Sequence, residues 1–535
     1  MPTPVPIFKV IVPDDLSAAG LDLLKGDPAV AVTAAKKMPR ADLLAQIGEY
    51  DALIVRSETK VDAAVVDAGR KLRVIGRAGI GVDTIDVDAA TRRGIIVMNT
   101  PQANTTATCE HTLAMMLALA RNIPQADASL RRNEWARSKF MGMQLMGKTL
   151  GVIGLGRIGT QVARRAQAFG MEVIAFDPYV SEESARHNMV KLVSLDELLS
   201  QSDFVTLHSS LNPGSRRLLD AAAIARMKTG ARVINVARGA LVDADALHAA
   251  LTSGKLAGAA LDVFDDEPPP ADLPLLKLPN VVVTPHLGAS TVEAQRDVSI
   301  QMAEQILDAL HEREVRNAVN FPPIDPAAWP VIRPWLVLAE KLGKLQSNLS
   351  AGRLQRVEVE YRGGDAAPHA KPLTVALLRG LLAPVLGSES VNYVNAPLIA
   401  EERGILVSQA ANITSANYTN LISCRVTSDQ ETHTLSGVLF NGQQPRVVQI
   451  DGFVLDAVPD GLVLVVSSRD VPGVVGHIGT ILGENAVNIA EYRLGRTGPG
   501  DMALSFVNLD NPVSEKAAQM LRELPEVVEV KQMVL

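Results

Sequence analysis

The chain has 535 residues, 47% of them apolar and 21% charged, with 52 Lys plus Arg against 59 Asp plus Glu and a net charge of −7. At roughly 150 residues per domain this length predicts three or four domains, and the composition excludes a fibrous repeat or a globally disordered chain. The mild acidity with mixed signs argues against nucleic acid or an anionic membrane as the main partner, and two cysteines (Cys109, Cys424) suffice for neither a disulfide framework nor a four-ligand zinc site.

Met1 to Val10 holds one lysine and no long apolar stretch, so no signal peptide is predicted and a cytoplasmic location is expected. The first third alternates β-branched runs (Val5 to Val12, Ala52 to Val55, Val74 to Ile75, Ile95 to Val97) with helical stretches (Leu16 to Leu24, Arg40 to Ile47, Ala63 to Ala68, Val87 to Arg93). That alternation predicts a parallel sheet with crossover helices. Thr105 to Arg121 reads as a long apolar helix packed between two lobes. It contains the longest apolar run, Leu113 to Ala120, which is far short of the ~20 residues a bilayer requires.

A second alternating series has six predicted strands: Thr149 to Ile153, Glu172 to Phe176, Phe204 to Leu207, Arg232 to Asn235, Gly258 to Asp262 and Val281 to Thr284. Such a series suits a doubly wound sheet. Glu293 to His311 reads as one amphipathic helix returning to the first lobe. Five prolines between Phe321 and Pro334 predict a stiff extended connector. Beyond it come a helix (Leu336 to Leu349), a strand (Arg356 to Tyr361), a helix (Leu373 to Val385) and antiparallel β structure over Asn420 to Leu455. The tail from Gly461 to Leu535 reads as the βαββαβ order of a ferredoxin-like unit. The fold class is therefore α/β: two lobes of doubly wound parallel sheet, an α+β domain, and a C-terminal ferredoxin-like domain.

The strongest motif is Gly154-Leu155-Gly156-Arg157-Ile158-Gly159, where a strand runs into G-x-G-x-x-G and Gly159 opens a helix. The first glycine permits the tight turn, the second lets backbone N–H groups approach a pyrophosphate, and the third lets helix and strand pack closely. Asp177 ends the next strand, eighteen residues past Gly159, where a carboxylate accepts the hydroxyls of an adenosine ribose. Its charge repels a 2′-phosphate, so NAD is expected rather than NADP.

Arg238, Glu267 and His286 sit at or just after the ends of later strands of the same series, where ligands bind in open α/β sheets. An arginine can hold a substrate carboxylate in two hydrogen bonds. A histidine can take the proton of an alcohol as hydride leaves the same carbon, and a neighbouring glutamate orients it and favours its protonated form. The remaining histidines lack ligand spacing, so no metal is expected.

Together, Gly154 to Gly159 with Asp177, Asn235-Val236-Ala237-Arg238-Gly239, Asp262-Val263-Phe264 before Glu267-Pro268, and Thr284-Pro285-His286-Leu287-Gly288 resemble the D-2-hydroxyacid dehydrogenase family. The resemblance runs from the start to about Asn317 and implies a nucleotide domain inserted into a substrate lobe, with the active site between them. It implies Arg238, Glu267 and His286 as catalytic residues, and Gly154, Gly156, Arg157, Ile158, Gly159, Asp177, Ala237, Asp262 and Gly288 as NAD contacts. Val55-Arg56-Ser57, Gly76-Arg77-Ala78-Gly79 and Trp135-Ala136-Arg137-Ser138 are similar to members acting on 3-phospho-D-glycerate, the entry to L-serine synthesis. That similarity implies Arg56, Ser57, Arg77, Gly79, Asn104 and Arg137 as substrate contacts, Arg137 coming from a neighbouring subunit. Ile80 stands where many relatives carry threonine.

Residues 331 to 455 resemble the intervening domain of long members of the family, and residues 461 to 535 an ACT regulatory domain through Asp470-Val471-Pro472-Gly473 and Val487-Asn488-Ile489. This implies an L-serine effector held by Asp470, Gly473 and Asn488, although Val471 and Ser468 replace the usual arginine and His or Tyr. The expected domains are a substrate lobe over 1–101 completed by 287–317, an NAD domain over 102–286, a linker over 318–334, an intervening domain over 335–457 and an ACT domain over 458–535. Self-association as a dimer or tetramer is implied by the same resemblance. Two other readings of the same residues are a glyoxylate or hydroxypyruvate reductase and a non-catalytic NAD-sensing binding protein.

Overall fold

The computed structural model describes residues 8–212, 214–322, 328–387, 390–412, 418–498 and 500–535. The start of the first expected strand, Val5 to Ile7, and two linker prolines, Pro323 and Pro326, lie outside them.

The N-terminal lobe alternates β1 (Phe8–Val12), α1 (Ala18–Gly26), β2 (Val30–Ala34), α2 (Arg40–Gln46), β3 (Ala52–Val55), α3 (Ala63–Ala68), β4 (Val74–Arg77), α4 (Val87–Arg92) and β5 (Ile96–Asn99). These strands form one parallel sheet in the order β2-β1-β3-β4-β5. Its inner strands are apolar on both faces because helices cover both, which is why they read as continuous runs in sequence. Aspartates start the helices: the Asp62 carboxylate accepts from the Val65 N–H at the head of α3, and Asp86 from Ala89 at the head of α4.

The chain then forms α5 (Thr105–Arg121) and α6 (Ile123–Arg131) before the second sheet. That sheet comprises β6 (Thr149–Ile153), α7 (Arg157–Ala168), β7 (Glu172–Phe176), α8 (Glu182–His187), β8 (Lys191–Leu192), α9 (Leu195–Gln201), β9 (Phe204–Leu207), α10 (Ala221–Arg226), β10 (Ala231–Asn235), α11 (Ala244–Thr252), β11 (Leu256–Leu261) and β12 (Val281–Val283). All its pairings are parallel, in the order β12-β11-β10-β9-β6-β7-β8. Seven strands replace the six expected, because the two-residue β8 is too short to leave a period-2 signal. Helix α5 does not lie between the lobes as expected. Its Cys109, Leu113, Met116 and Leu119 join Val152, Val162 and Ile234 in the core of this second sheet.

Helix α12 (Val292–Leu310) returns to the first lobe as expected, burying Val298, Met302 and Ile306 against Val10, Ile54 and Val74. The chain therefore crosses between the lobes twice, and the crossings frame a cleft at the carboxyl ends of both sheets.

The expected linker is shorter than its prolines suggest, because α13 (Trp329–Leu349) begins well before Leu336. Pro330 falls in its first turn, where no intrahelical N–H bond is required. Pro334 forfeits a single i→i−4 bond, while Ile332, Trp335 and Leu336 are buried beside it. The third unit continues with β13 (Leu354–Arg362), α14 (Ala370–Leu386), α15 (Ala396–Glu402), β14 (Leu406–Asn412), β15 (Leu421–Ser428), β16 (Thr432–Phe440), β17 (Gln444–Ile450) and β18 (Phe453–Ala457). Its sheet runs β14-β13-β15-β16-β17-β18, with only the β14–β13 pair parallel.

The tail folds as β19 (Leu462–Arg469), α16 (Val474–Glu484), β20 (Ile489–Arg496), β21 (Met502–Leu509), α17 (Glu515–Arg522) and β22 (Val527–Val534), an antiparallel sheet in the order β20-β21-β19-β22. One face of it packs on α16 and α17. The other shares a core with α13 and α14, where Val463, Val465, Leu504 and Phe506 meet Trp335, Leu338 and Leu342. No helix among the described residues is long and apolar enough to cross a membrane.

Candidate active site

The glycine loop joins β6 to α7 where the strand order reverses, the usual ligand crevice of an open parallel sheet. Gly154 has φ +93°, and a Cβ there would lie 2.8 Å from the backbone of His208 at the end of β9. A Cβ on Gly159 would stand 2.0 Å from the Gly154 carbonyl oxygen, so helix and loop touch only because both residues lack side chains. Around Gly156, at the head of α7, the space is open. No side chain caps α7 and its first turn holds no acid, which leaves its N–H groups free for an anion. Arg157 and Ile158 occupy that first turn. Asp177, at the end of β7, accepts from the Leu155 N–H at 2.8 Å and from Tyr179 and Val180. The cradle thus fits a dinucleotide: open space over Gly156, N–H groups without a side-chain cap at the head of α7, and a carboxylate at the end of the neighbouring strand β7.

Three later strands deliver the remaining groups. His286, after β12, has φ +56°, and its Nδ1–H donates to Glu267 Oε2 at 2.6 Å. That bond leaves Nε2 facing away from the glutamate, with no hydrogen-bond partner among the described residues. Burial alone would raise the Glu267 carboxyl. The hydrogen bond from His286, the charge of that ring, the Phe264 N–H and the charge of Arg238 outweigh burial and hold it below the usual carboxylate range.

Asp262, at the end of β11, is fully buried. Its Oδ1 accepts from the Thr284 hydroxyl and the Leu287 N–H and lies 3.1 Å from His111 Nε2, while Oδ2 accepts from the Gly288 N–H. Its backbone oxygen also accepts from the His286 N–H at 2.9 Å. Burial pushes this carboxyl up, but the His111, Thr284 and Leu287 hydrogen bonds prevail and keep it below its ordinary value. Asp262 therefore fixes the turn that aims His286, a connection that the sequence does not display. His111 lies on the apolar helix α5, so its part in this network had no local signal.

From the first lobe, Arg56 follows β3 and Arg77 ends β4. The Arg56 Nη1–H donates to the Asp15 carbonyl, and Arg77 Nη1–H donates to the Ala78 carbonyl. The Arg77 Nε is buried without a partner, and its guanidinium lies against Gly79, where any Cβ would overlap it. Burial, followed by the charges of Arg238 and Arg56, pushes Arg77 down to about 10, and Asp83 and Asp14 pull the other way. Asn104, the residue before α5, has a buried Oδ1 with no partner among the described residues. Ser57 follows Arg56, and its hydroxyl makes no hydrogen bond among the described residues. Arg56 also borders a cavity of about 600 Å³ with Asp15, Ser17, Ser290 and Gln295.

Arg238, after β10, closes the set. Its Nη1–H donates to the Ala237 carbonyl, and its Nε–H donates to Asp83 of the opposite lobe at 2.6 Å. The structure therefore gathers Arg56, Arg77, Arg238, Glu267 and His286 around one cleft. It leaves Arg137 out: that side chain is exposed in the short helical turn Arg137–Phe140 and makes no hydrogen bond or ion pair among the described residues.

Asp470 and Asn488 are not brought together either. The register pairs Arg469 with Met502 and Ile489 with Leu509, placing the two residues at opposite ends of β21, roughly 25 Å apart. Asp470 pairs with Arg496, Asn488 donates to Asp510, and Gly473 heads α16 with φ +100°. Among the described residues no three His, Cys, Asp or Glu lie close enough to hold a metal ion.

Three family models match: a D-isomer specific 2-hydroxyacid dehydrogenase NAD binding domain over residues 113–288, a D-3-phosphoglycerate dehydrogenase intervening domain over 331–451 and an ACT domain over 462–526. The chain is 42% identical to the D-3-phosphoglycerate dehydrogenase of Archaeoglobus fulgidus over 524 residues, which is 98% of this chain and 99% of the relative. It is likewise 42% identical over 525 residues to that of Methanocaldococcus jannaschii, with the same coverage of each. A solved glyoxylate reductase from Paecilomyes thermophila superposes on 59% of this chain and 98% of its own, at 32% identity and a TM-score of 0.55. The nucleotide crevice is accordingly an NAD site. A two-lobed dehydrogenase core, an intervening domain and an ACT tail, matched along nearly the whole length, place the chain in the D-3-phosphoglycerate dehydrogenase family of the D-isomer specific 2-hydroxyacid dehydrogenases.

Proposed function

We propose that the chain oxidises 3-phospho-D-glycerate at C2 to 3-phosphooxypyruvate, the first step of L-serine synthesis, in the cytoplasm. The observation that carries this reading is the cluster of Arg56, Arg77 and Arg238 in one cleft beside the His286–Glu267 pair. A substrate with one carboxylate requires one such cation. A carboxylate plus a phosphate calls for several.

NAD, when bound on the Gly154 to Gly159 loop, supplies the hydride acceptor. His286 Nε2 takes the proton of the C2 hydroxyl as hydride leaves C2, and the new positive charge on the ring rests against Glu267. Arg238 holds the carboxylate and polarises the C2 oxygen. Arg56 and Arg77 face the phosphate, joined by Arg137 of a second subunit. Asp262, Ala237 and Gly288 shape the nicotinamide side of the cleft. Asp470 and Gly473 of one ACT domain and Asn488 of another form an L-serine site, since one domain holds them at opposite ends of a strand.

The test is NADH formation from 3-phosphoglycerate, compared with unphosphorylated glycerate, with and without serine. The expected result is turnover of the phosphorylated acid by the wild type and a loss of about 10²–10⁴-fold in His286→Ala. Preference for glyoxylate or hydroxypyruvate reduction would replace this reading with a small-acid reductase. Binding of NADH without any turnover would replace it with a sensor.

A further inference from the structure

Arg238 is reached from both lobes. Asp83 belongs to the loop between β4 and α4 and is 155 residues away in sequence, yet its Oδ2 accepts from Arg238 Nε–H at 2.6 Å. The guanidinium lies over Gly81, where a Cβ would stand 1.7 Å from Nη2 and displace it from this position. Asn99 holds this loop in place by donating from Nδ2 to the Ile80 carbonyl. With Nε committed to Asp83 and one hydrogen of Nη1 to the Ala237 carbonyl, Nη2 and the second hydrogen of Nη1 are left for a ligand.

The surroundings explain why an anion is required here. Arg56 and Arg77 approach from the same lobe, and the buried Nε of Arg77 has no partner among the described residues. Left alone, three like charges around one cleft push the most mobile of them outward. Among the described residues Asp83 is the carboxylate that pairs with Arg238, and only half of its side-chain surface is covered, so water is not excluded from it.

We infer that Asp83 is a positioning residue for the reaction proposed above: it holds Arg238 across the cleft so that one edge of the guanidinium meets the substrate carboxylate. The inference rests on that proposal for the identity of the substrate but not for its test. An exposed ion pair contributes little to stability, so what this one supplies is orientation. Orientation matters because a carboxylate bound by two hydrogen bonds from one guanidinium tolerates little rotation of the donor.

The experiment uses the full chain and Asp83→Asn, which keeps the shape and removes the charge. Binding of tartronate, a 2-hydroxy dicarboxylate, to NADH-loaded protein is measured by calorimetry, beside kcat/KM for 3-phosphoglycerate. The expected result is a loss of roughly ten- to a hundredfold in tartronate affinity and in kcat/KM, the size of one charge-assisted hydrogen bond, with NADH affinity and Tm unchanged. Asp83→Glu recovers part of the loss, and the Asp83→Asn/Arg238→Lys double variant loses less than the sum of the two singles. Equal tartronate binding by wild type and Asp83→Asn overturns the inference. So does an absence of tartronate binding by the wild type, or a loss matched in NADH affinity and Tm, which marks a tie between lobes. Failure of the wild type to oxidise 3-phosphoglycerate overturns the functional reading alone, because the tartronate measurement needs no turnover.

Discussion

His286 is constrained from two directions. Glu267 takes its Nδ1–H, and Asp262 holds the backbone around it through the N–H groups of Leu287 and Gly288 and its own carbonyl. The first contact concerns the proton. Because the Glu267 carboxyl is held below the usual range it stays ionised near neutrality and takes the Nδ1–H at 2.6 Å. Replacing Glu267 with Gln keeps the shape and removes the charge that faces the ring. The expected outcome is a fall of roughly ten- to a hundredfold in kcat/KM, the size of one charge-assisted hydrogen bond, with NADH affinity unchanged. Equal kcat/KM in Glu267→Gln and wild type would show that the carboxylate does not hold the ring. At this scale the sequence placed Arg238, Glu267 and His286 at strand ends, and the structure brings the three together in one cleft. It gave Asp83 a place in the family pattern Gly81-Val82-Asp83 but no partner, and it was silent on His111, since those partners come from the other lobe and from the packing of α5 on the second sheet.

Elements were legible where packing and periodicity agree. Helix α5 appears over Thr105–Arg121 as expected, and the crossover strands of the second sheet lie within a residue or two of their predicted ends. Besides the two-residue β8, two strands escaped for one shared reason. Val30–Ala34 lies at a sheet edge with little burial, and Leu406–Asn412 is exposed throughout, so neither carries an inward-facing pattern. The proposed seat of NAD is the glycine loop, and its tolerance can be stated in ångströms. Gly159→Ala sets a methyl 2.0 Å from the Gly154 oxygen, on backbone that cannot rotate away. Helix α7 must then shift from β6, at a cost of about 1–3 kcal/mol, and the N–H groups at its head move off the pyrophosphate. NADH affinity, followed by fluorescence titration, is expected to fall by at least tenfold with the rest of the fold retained. Unchanged affinity would remove the pyrophosphate from this loop.

At the scale of the molecule, 218 residues follow Asn317 without a second catalytic set, and they are not a loose appendage. The ACT sheet shares one core with α13 and α14, and Asn392 of the third unit donates to the Gly94 carbonyl just past α4, on the chain segment that carries Asp83. Resemblance supplied these domains, but sequence could not show that their cores merge, since that depends on which sheet face α13 covers. Arg137 poses the remaining question of geometry, because it is exposed on an arm where Trp135 is 79% and Met141 83% exposed. If that arm crosses to a second subunit, two defective chains complement each other. A dimer of one Arg137→Ala chain and one His286→Ala chain contains one site with both residues intact and one lacking both. Random reassortment of the two inactive variants makes about half of the dimers mixed, so about a quarter of wild-type activity returns at low substrate concentration. If Arg137 serves its own chain's site, every site in the mixture lacks one residue and mixing restores nothing. Unfolding and refolding the two variants together, with each refolded alone as control, decides between the outcomes.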